Sequence, residues 1–463
     1  MEKRSIKSPT DRLMVLVALT LAVTVMNATM FNIVLPEIRH EFKLSMSEVS
    51  WVSTTYLLVF AVGSVVYGKL ADACRLKSLI TFGFITFAAG SLVGMLSVSY
   101  GMVIAGRMLQ AAGAAVIPAV SGIIPVRYVP SSTRGRALGI TMTGGAVGSA
   151  AGPALAALLS SVVHWRLLFL LPVLTLLLLP LYYKYLQDDR QGRKVRMDWL
   201  GGGLLAGTIA MLLLFVTSVA PWTFIGFVLL MAALLLRITR AEEPFISPRL
   251  FSNRRYALGL GIVFMTTGIG YSLAFLTPTL LSELHGMGDG RAGWVLVPAA
   301  VLAAFLSKTG GRAADRKGNS FLFLLASTLY MICFLMMSSF SMGAQIFIAL
   351  FLIFGTVGQA FMSISLTKTI SLALPKDQSG VGLGLMSMLN FVSGAVFASL
   401  YGRMVDQGIG SAWNPMMVEK GAEADTFSNI YLLLAVLMMA VVMIYAAGFM
   451  RRSKKLQDAS STG

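Results

Sequence analysis

Long apolar runs, separated by short polar breaks, organise the chain. Fourteen runs stand out, at 13–35, 50–69, 79–97, 101–126, 136–162, 166–185, 199–219, 222–238, 256–281, 292–311, 320–339, 344–372, 380–404 and 428–449. A helix needs roughly 20 apolar residues to cross the hydrocarbon core of a bilayer, and lipid offers no partner to an unbonded backbone group. The runs are continuous rather than alternating, so they predict helices and not barrel strands. The expected fold class is therefore an all-α membrane protein with 14 transmembrane helices.

The polar breaks give the orientation. Alternate breaks are basic. They hold Lys3, Arg4, Lys7 and Arg12, then Arg75 and Lys77, then Arg127, Arg134 and Arg136. The series continues in KYLQDDRQGRKVRMD (184–198), RITRAEEPFISPRLFSNRR (237–255), GRAADRKGN (311–319) and RRSKK (451–455). Most of the 37 Lys and Arg fall on this side. Cytoplasmic loops carry the excess of Lys and Arg, so this side is the cytoplasm, and an even number of spans puts both termini there. A bacterial plasma-membrane location follows as the expectation.

Composition agrees. The chain is 56% hydrophobic and 12% charged, with a mean hydropathy of +0.78, whereas soluble domains carry about a quarter charged residues. The net charge of +17 belongs to the basic loops and does not imply nucleic acid. Cys74 falls in a basic loop and Cys333 inside an apolar run, which argues against a structural disulfide. No metal site or cofactor motif is present, and nothing points to an obligate protein partner. Membrane lipid is the surrounding partner.

The chain also repeats. GKLADACRLKSL (68–79) follows the second run and GRAADRKGNSFL (311–322) follows the tenth. Both read glycine, a basic residue, any residue, Ala-Asp, and both lie in cytoplasmic breaks, which sets Asp72 and Asp315 in corresponding places. The expected organisation is a first six-helix bundle (1–196), two inserted transmembrane helices (197–240) packed outside the bundles, and a second six-helix bundle with a cytoplasmic tail (241–463). Two parallel halves around a midplane site are a pattern of secondary transporters. An ATP-driven pump would need a phosphate loop or a large cytosolic domain, and neither is present.

Several stretches resemble the major facilitator superfamily, specifically its fourteen-helix drug:proton antiporter branch, and within it the bacterial tetracycline exporters of fourteen helices. GKLADACRLK (68–77) resembles the signature of the loop between helices two and three, with Arg75 in place of a glycine. The resemblance implies that Asp72 gates, with Arg75 and Lys77 beside it. Its carboxylate is expected at the N-terminus of the helix starting near Gly380, where the helix dipole favours negative charge. Asp315 and Arg316 are the counterparts in the second half. RMLQAAGAA (107–115) resembles the helix-four signature, with Ala111 at its first glycine, and implies a role for Arg107 in proton coupling. Arg107 and Gln110 share a helix face. GITMTGGAVGSAAGPALAA (139–157) resembles the antiporter signature of helix five through Gly139, Gly148, Gly152 and Pro153, with Ala156 and Ala157 at its final glycine pair. Glycines one turn apart permit close helix approach and proline bends the helix. Exporters of the family carry this signature, so it implies export. MNATMFNIVLPEI (26–38), WVSTTYLL (51–58) and SLTKTIS (365–371) resemble further stretches of the same branch.

The chain departs from the branch in its acids. Each of the 20 acidic residues lies in a break, a terminus or within a turn of a run end. Asn27 stands where the branch often has an aspartate. Ala28, Ser149 and Gly394 stand near positions where the tetracycline exporters have glutamates. Coupling then falls to an acid at a helix end, such as Asp72, or Asp406 beside Arg403, or to another ion, or to none. His40, His164 and His285 sit at run ends or in breaks. Arg107 and Lys368 are the charges kept in the membrane, which favours a neutral, zwitterionic or anionic amphiphile as substrate. The expected cavity residues are Asn27, Asn32, Tyr56, Arg107, Gln110, Tyr271, Gln359, Lys368 and Asn390, since polar side chains in apolar helices usually face the bundle interior. The 28 Met and 27 Phe pack helices or face lipid more often than they line a pocket.

The function expected from all this is secondary active export of small amphiphilic molecules by alternating access with proton antiport. The rival within transport is an uncoupled facilitator for lipids or anions. A membrane-bound enzyme would need clustered acids or histidines at one surface, which the chain lacks, and a non-transporting receptor is the third class.

Overall fold

The computed structural model describes residues 9–44, 46–160, 164–186, 198–218, 220–242, 244–286, 289–375, 378–407, 414 and 422–450. In chain order the helices are α1 (Pro9–Phe42), α2 (Met46–Ala73), α3 (Leu76–Met95), α4 (Tyr100–Ala114), α5 (Val116–Tyr128), α6 (Arg134–Ser160), a 3₁₀ segment (Trp165–Leu178) that runs into α7 (Leu179–Tyr185), α8 (Trp199–Ser218), α9 (Pro221–Arg240), α10 (Arg249–Ser252), α11 (Arg254–His285), α12 (Asp289–Arg316), α13 (Asn319–Ser339), α14 (Gln345–Ala373), α15 (Ser379–Gln407) and α16 (Ala422–Tyr445). No strand occurs among the described residues. The N-terminal Lys3, Arg4 and Lys7 and the tail RRSKK lie outside them.

Each apolar run of the sequence becomes a helix, and several overrun it. α1 continues to Phe42 and α11 to His285. α4 and α5 form one span with a break at Ala115. Pro118 has no N–H to offer the carbonyl of Ala114, so the ladder is interrupted there.

Thirteen helices among the described residues are long and apolar enough to cross a membrane. This is one short of the expected fourteen. The remaining long helix, α6, has 27 residues and is rich in Gly, Ala, Ser and Thr. These small side chains permit close helix contact.

That contact is close. A Cβ added at Gly144 or Gly148 would overlap the backbone carbonyls of Ala18 or Ala22 on α1, and one at Gly152 the Thr29 hydroxyl. The N-terminal end of α6 turns to α12. Gly139 lies against the Ser307 carbonyl, 2.5 Å from an added Cβ, and Thr143 donates to the Ala304 carbonyl at 3.1 Å. α6 is therefore seated on both halves. α2 and α15 make the matching cross-contact. Gly68 and Gly380 approach backbone to backbone, Ser64 donates to the Gly384 carbonyl at 3.3 Å, and the Phe60 and Phe391 rings meet edge-on at 4.7 Å.

The inserted pair α8–α9 packs against itself, and α8 also touches α2 and α15. Ser399 and Arg403 on α15 both donate to the Val216 carbonyl at 2.8 Å. At the end where α8 begins and α9 finishes, Asp198 accepts from the Gly201 and Phe245 backbones and pairs with Arg237. Trp222 and Leu229 on α9 remain exposed, as expected of a face turned to lipid. The pair thus lies outside the bundles on the seam between α2 and α15.

Candidate functional site

Two clusters gather the charged and polar residues of the spans. The first is at the cytoplasmic ends, as the basic loops define them. The Asp72 carboxylate, on the last turn of α2, accepts from the backbone N–H of Gly380 and of Val381, both at 2.9 Å, at the N-terminus of α15. Arg127, the penultimate residue of α5, donates to Asp72 Oδ1 at 2.6 Å and to the Ala71 carbonyl at 2.7 Å. In the second half Asp315, on the last turn of α12, accepts from Gly135 at 2.9 Å and Arg136 at 2.8 Å, at the N-terminus of α6. Lys368 on α14 donates to Asp315 Oδ1 at 2.6 Å and to the Ala314 carbonyl at 3.2 Å.

The two arrangements match part for part: an aspartate, two backbone N–H groups on a helix of the opposite half, one cation, and the carbonyl preceding the aspartate. The aspartate and its cation are 55 residues apart in one half and 53 in the other. All four charged side chains are about a tenth exposed, at 9–12%. A carboxylate at a helix N-terminus satisfies orphan N–H groups and meets the positive end of the dipole, and charge-assisted bonds are the strong ones. The latches need glycine beside the acids. A Cβ at Gly135 would stand 2.6 Å from both Asp315 Oδ1 and the Gly311 carbonyl, and one at Gly380 would stand 2.6 Å from Asp72 Oδ1.

The structure corrects the expected cations. Lys368, expected in a cavity, belongs to the Asp315 latch, because its Nζ reaches across to the carboxylate on α12. Arg75 and Arg316 are exposed, and Lys77 lies over the Tyr183 ring at 5.7 Å. Arg127 supplies the positive charge at Asp72. The signal for it was in the sequence: a cation stands at nearly the same distance beyond the aspartate in each repeat.

The second cluster is buried in the first half. Arg107, Gln110, Asn27 and Tyr56 are all 0% exposed. The Arg107 guanidinium is held between the Tyr56 and Phe31 rings, 4.0 and 4.1 Å from their centroids. Its Nε donates to the Val52 carbonyl at 3.3 Å and its Nη1 to Gln110 Oε1 at 3.0 Å. Gln110 in turn donates to the Ser91 hydroxyl at 2.8 Å. Arg107 Nη2 finds no hydrogen-bond partner, and the Tyr56 hydroxyl and the Asn27 carboxamide face each other and find no partner beyond that pair. No carboxylate among the described residues pairs with Arg107. Two aromatic faces offset part of the cost of burying a cation, at about 2 kcal/mol for a desolvated contact, and supply no countercharge.

Of the remaining expected cavity residues, Tyr271, Gln359 and Asn390 lie in the second half and do not join this cluster. Asn390 accepts from the Thr267 hydroxyl at 2.8 Å. The Gln359 amide and the Tyr330 hydroxyl both approach Gly270. Tyr271 is 38% exposed and lies against Gly394. The side chains of Asn32, Pro153 and Asp406 fall outside the described residues. Cys74 and Cys333 are free.

A third set, of lower burial, closes the outer ends of α1 and the 3₁₀ segment. Arg166 pairs with Glu41 at 2.7 Å and the Trp165 indole donates to Glu41 at 2.7 Å. Burial alone would raise the Glu41 carboxyl. The bonds from Trp165 and Arg166 and the charges of Arg166 and His164 outweigh it, and the carboxyl ends below its ordinary value.

Comparison with known proteins agrees with this architecture. The chain is 25% identical over 398 residues to the riboflavin transporter RibZ of Clostridioides difficile (strain 630), covering 84% of this chain and 87% of that one. It is 25% identical over 333 residues to multidrug resistance protein 3 of Bacillus subtilis (strain 168), covering 68% and 64%. In fold it resembles the human organic anion transporter MFSD10 (TM-score 0.67, 15% identity, 93% of this chain and 100% of that chain) and the proton:xylose symporter XylE (TM-score 0.66, 14% identity, 95% and 97%). A Major Facilitator Superfamily profile matches residues 17–398, so the chain belongs to that superfamily, whose members are multi-pass membrane transporters and not enzymes.

Proposed function

We propose that this transporter is an exporter of small amphiphilic organic molecules, working by alternating access as a proton antiporter of the fourteen-helix drug-export branch. In this reading α6 is the fourteenth span, residues 1–196 and 241–463 are the two rocking bundles, 197–240 is the inserted pair, and both termini face the cytoplasm of a bacterial cell. One observation carries the reading: α6, the helix with the exporter signature, is seated through glycines on α1 of its own half and on α12 of the other. A helix of small residues slides against two partners without having to repack large side chains. The riboflavin and multidrug transporters among the relatives support small organic molecules as substrates.

The gates in this reading are the two aspartate latches, which join the halves on the cytoplasmic side. Among the described residues Asp72 and Asp315 are carboxylates that bridge the halves, so in this reading protons act there. Neutralising either acid removes its charge from a helix N-terminus and from a buried cation, and the cytoplasmic side is free to part. Transport into everted vesicles, with and without a proton gradient, tests this. Gradient-driven uptake of an amphiphilic compound upholds it, and no uptake of any compound in a chemically varied panel overturns it.

A second reading, an uncoupled facilitator, is favoured by a specific feature: no carboxylate lies at mid-membrane among the described residues. It predicts transport that is unchanged by collapsing the proton gradient, and no proton release when substrate is added to purified protein.

A further inference from the structure

The Arg107 cluster has hydrogen-bonding capacity that the protein itself does not fill. Nη2 of Arg107, the Tyr56 hydroxyl and the Asn27 carboxamide are each fully buried; Nη2 has no hydrogen-bond partner, and the Tyr56 hydroxyl and Asn27 find none beyond each other. They are neighbours. The Arg107 guanidinium lies on the Tyr56 ring, Asn27 lies beside the Tyr56 hydroxyl, and Phe31, one turn from Asn27 on α1, covers the other face of the guanidinium. Buried polar groups are normally paired, and each exception calls for an explanation. Here the unfilled groups are mostly donors. The guanidinium has no acceptor lone pair, Tyr56 offers an O–H, and Asn27 offers its NH₂ with one carbonyl. Their net charge is positive, since no described carboxylate pairs with Arg107.

We propose that Arg107, Tyr56 and Asn27 form an anion subsite, taking a carboxylate or enolate oxygen of an amphiphilic substrate whose ring system packs on neighbouring apolar surface. The inference rests on the transport reading above and assigns the substrate's charge. The chemistry is complementary in each part. An anionic oxygen accepts from Nη2 in a charge-assisted bond, the Tyr56 and Asn27 donors take its remaining lone pairs, and the cation loses its uncompensated charge. Asn27 has a particular role. A carboxylate at this position would lie next to Arg107 and fill the subsite from within, so the uncharged amide keeps it open to an external anion.

The test uses two dyes built on one xanthene ring system, anionic fluorescein and cationic rhodamine 123. Binding to the purified full-length protein is followed by fluorescence anisotropy at mildly alkaline pH. The wild type is expected to bind fluorescein at least about tenfold more tightly than rhodamine 123, the worth of one charged contact. Asn27→Asp reverses the preference. Tyr56→Phe keeps the ring on Arg107 but removes one donor, and weakens fluorescein several-fold with rhodamine unchanged. Arg107→Gln, in preparations that keep the wild-type melting temperature, loses fluorescein binding by about tenfold or more. Equal affinity for the two dyes, preference of the wild type for rhodamine, or fluorescein binding untouched by Asn27→Asp overturns the subsite. The vesicle assay separates the two readings. Dye binding without transport of any compound upholds the subsite and overturns the exporter, whereas transport of the cationic dye alone upholds the exporter and overturns the subsite.

Discussion

Arg127 and Arg107 lie on the same span, and the protein treats them in opposite ways. Arg127 meets Asp72, a carbonyl and the end of a helix, and its charge is answered on the spot. Arg107 meets two aromatic faces, a carbonyl and an amide, and its charge is answered by nothing. The paired cation is repeated in the second half as Lys368 with Asp315, while the uncompensated one has no counterpart there, where Ile348 in the outer part of α14 is fully buried among apolar neighbours. A pseudo-symmetric pair suits an element that must close evenly across two halves. A single unpaired charge suits recognition, because what it lacks must be brought to it.

The contrast is broken most directly at the latches. Removing one partner of a buried pair leaves the other charge uncompensated, at a cost of about 3–5 kcal/mol. Asp72→Asn is therefore expected to shift the protein away from its cytoplasm-closed state by more than about 100-fold, with transport lost. Spin labels at the exposed Ser78 and Arg312, in a background without Cys74 and Cys333, would report it as a longer interhalf distance. Lys368→Met should do the same to the second latch. If it leaves the distance distribution at its wild-type form, the two halves are not equivalent and the symmetry argument fails.

Glycine substitutions come next. At Gly135 a methyl would stand 2.6 Å from Asp315 Oδ1 and from the Gly311 carbonyl, whereas at Gly122 it would meet only the end of Leu383 at 3.4 Å. Gly135→Ala is expected to lower transport by about tenfold or more, since a rigid backbone cannot give way. Gly122→Ala is expected to stay within about twofold, because a flexible side chain can shift. Equal effects at the two positions would mean that close approach at the latch is not what limits closure.

The smallest effect is at the outer pair. The Glu41 carboxyl is held below its ordinary value of 4.5, so its contribution to stability is full above that value and is lost as pH falls through the lowered one. The pair is partly exposed, and exposed pairs contribute little. Glu41→Gln should lower the melting temperature by about 1–2 °C at neutral pH and by nothing in strong acid. A deficit that persists in acid would place the effect in the Trp165 hydrogen bond and not in the charge.

Apolar run length was enough to read the helices, because lipid leaves the backbone no other way to satisfy itself. It read α6 as well, since 136–162 is one of the fourteen runs. Repetition was enough to set Asp72 and Asp315 in corresponding places, and helix-dipole physics with the family resemblance put the Asp72 carboxylate near Gly380, where its oxygens are found. Sequence neighbours did not reveal the latch cations. Arg75, Lys77 and Arg316 are next to the aspartates in sequence, but Arg127 and Lys368 meet the carboxylates. Lys368, read as a cavity residue, reaches its acid only because α12 and α14 pack side by side.

The sequence by itself determined the solvent and the repeat, since the first follows from the free energy of each segment in lipid or water and the second is written in the residues. Which charges meet was decided only by the tertiary structure. An ion pair depends on the last few ångströms between helices that lie far apart in the chain, and so does the absence of one. That Asn27, Tyr56 and Arg107 stand together with bonds unmade is a property of how α1, α2 and α4 pack, and no spacing along the chain carries it.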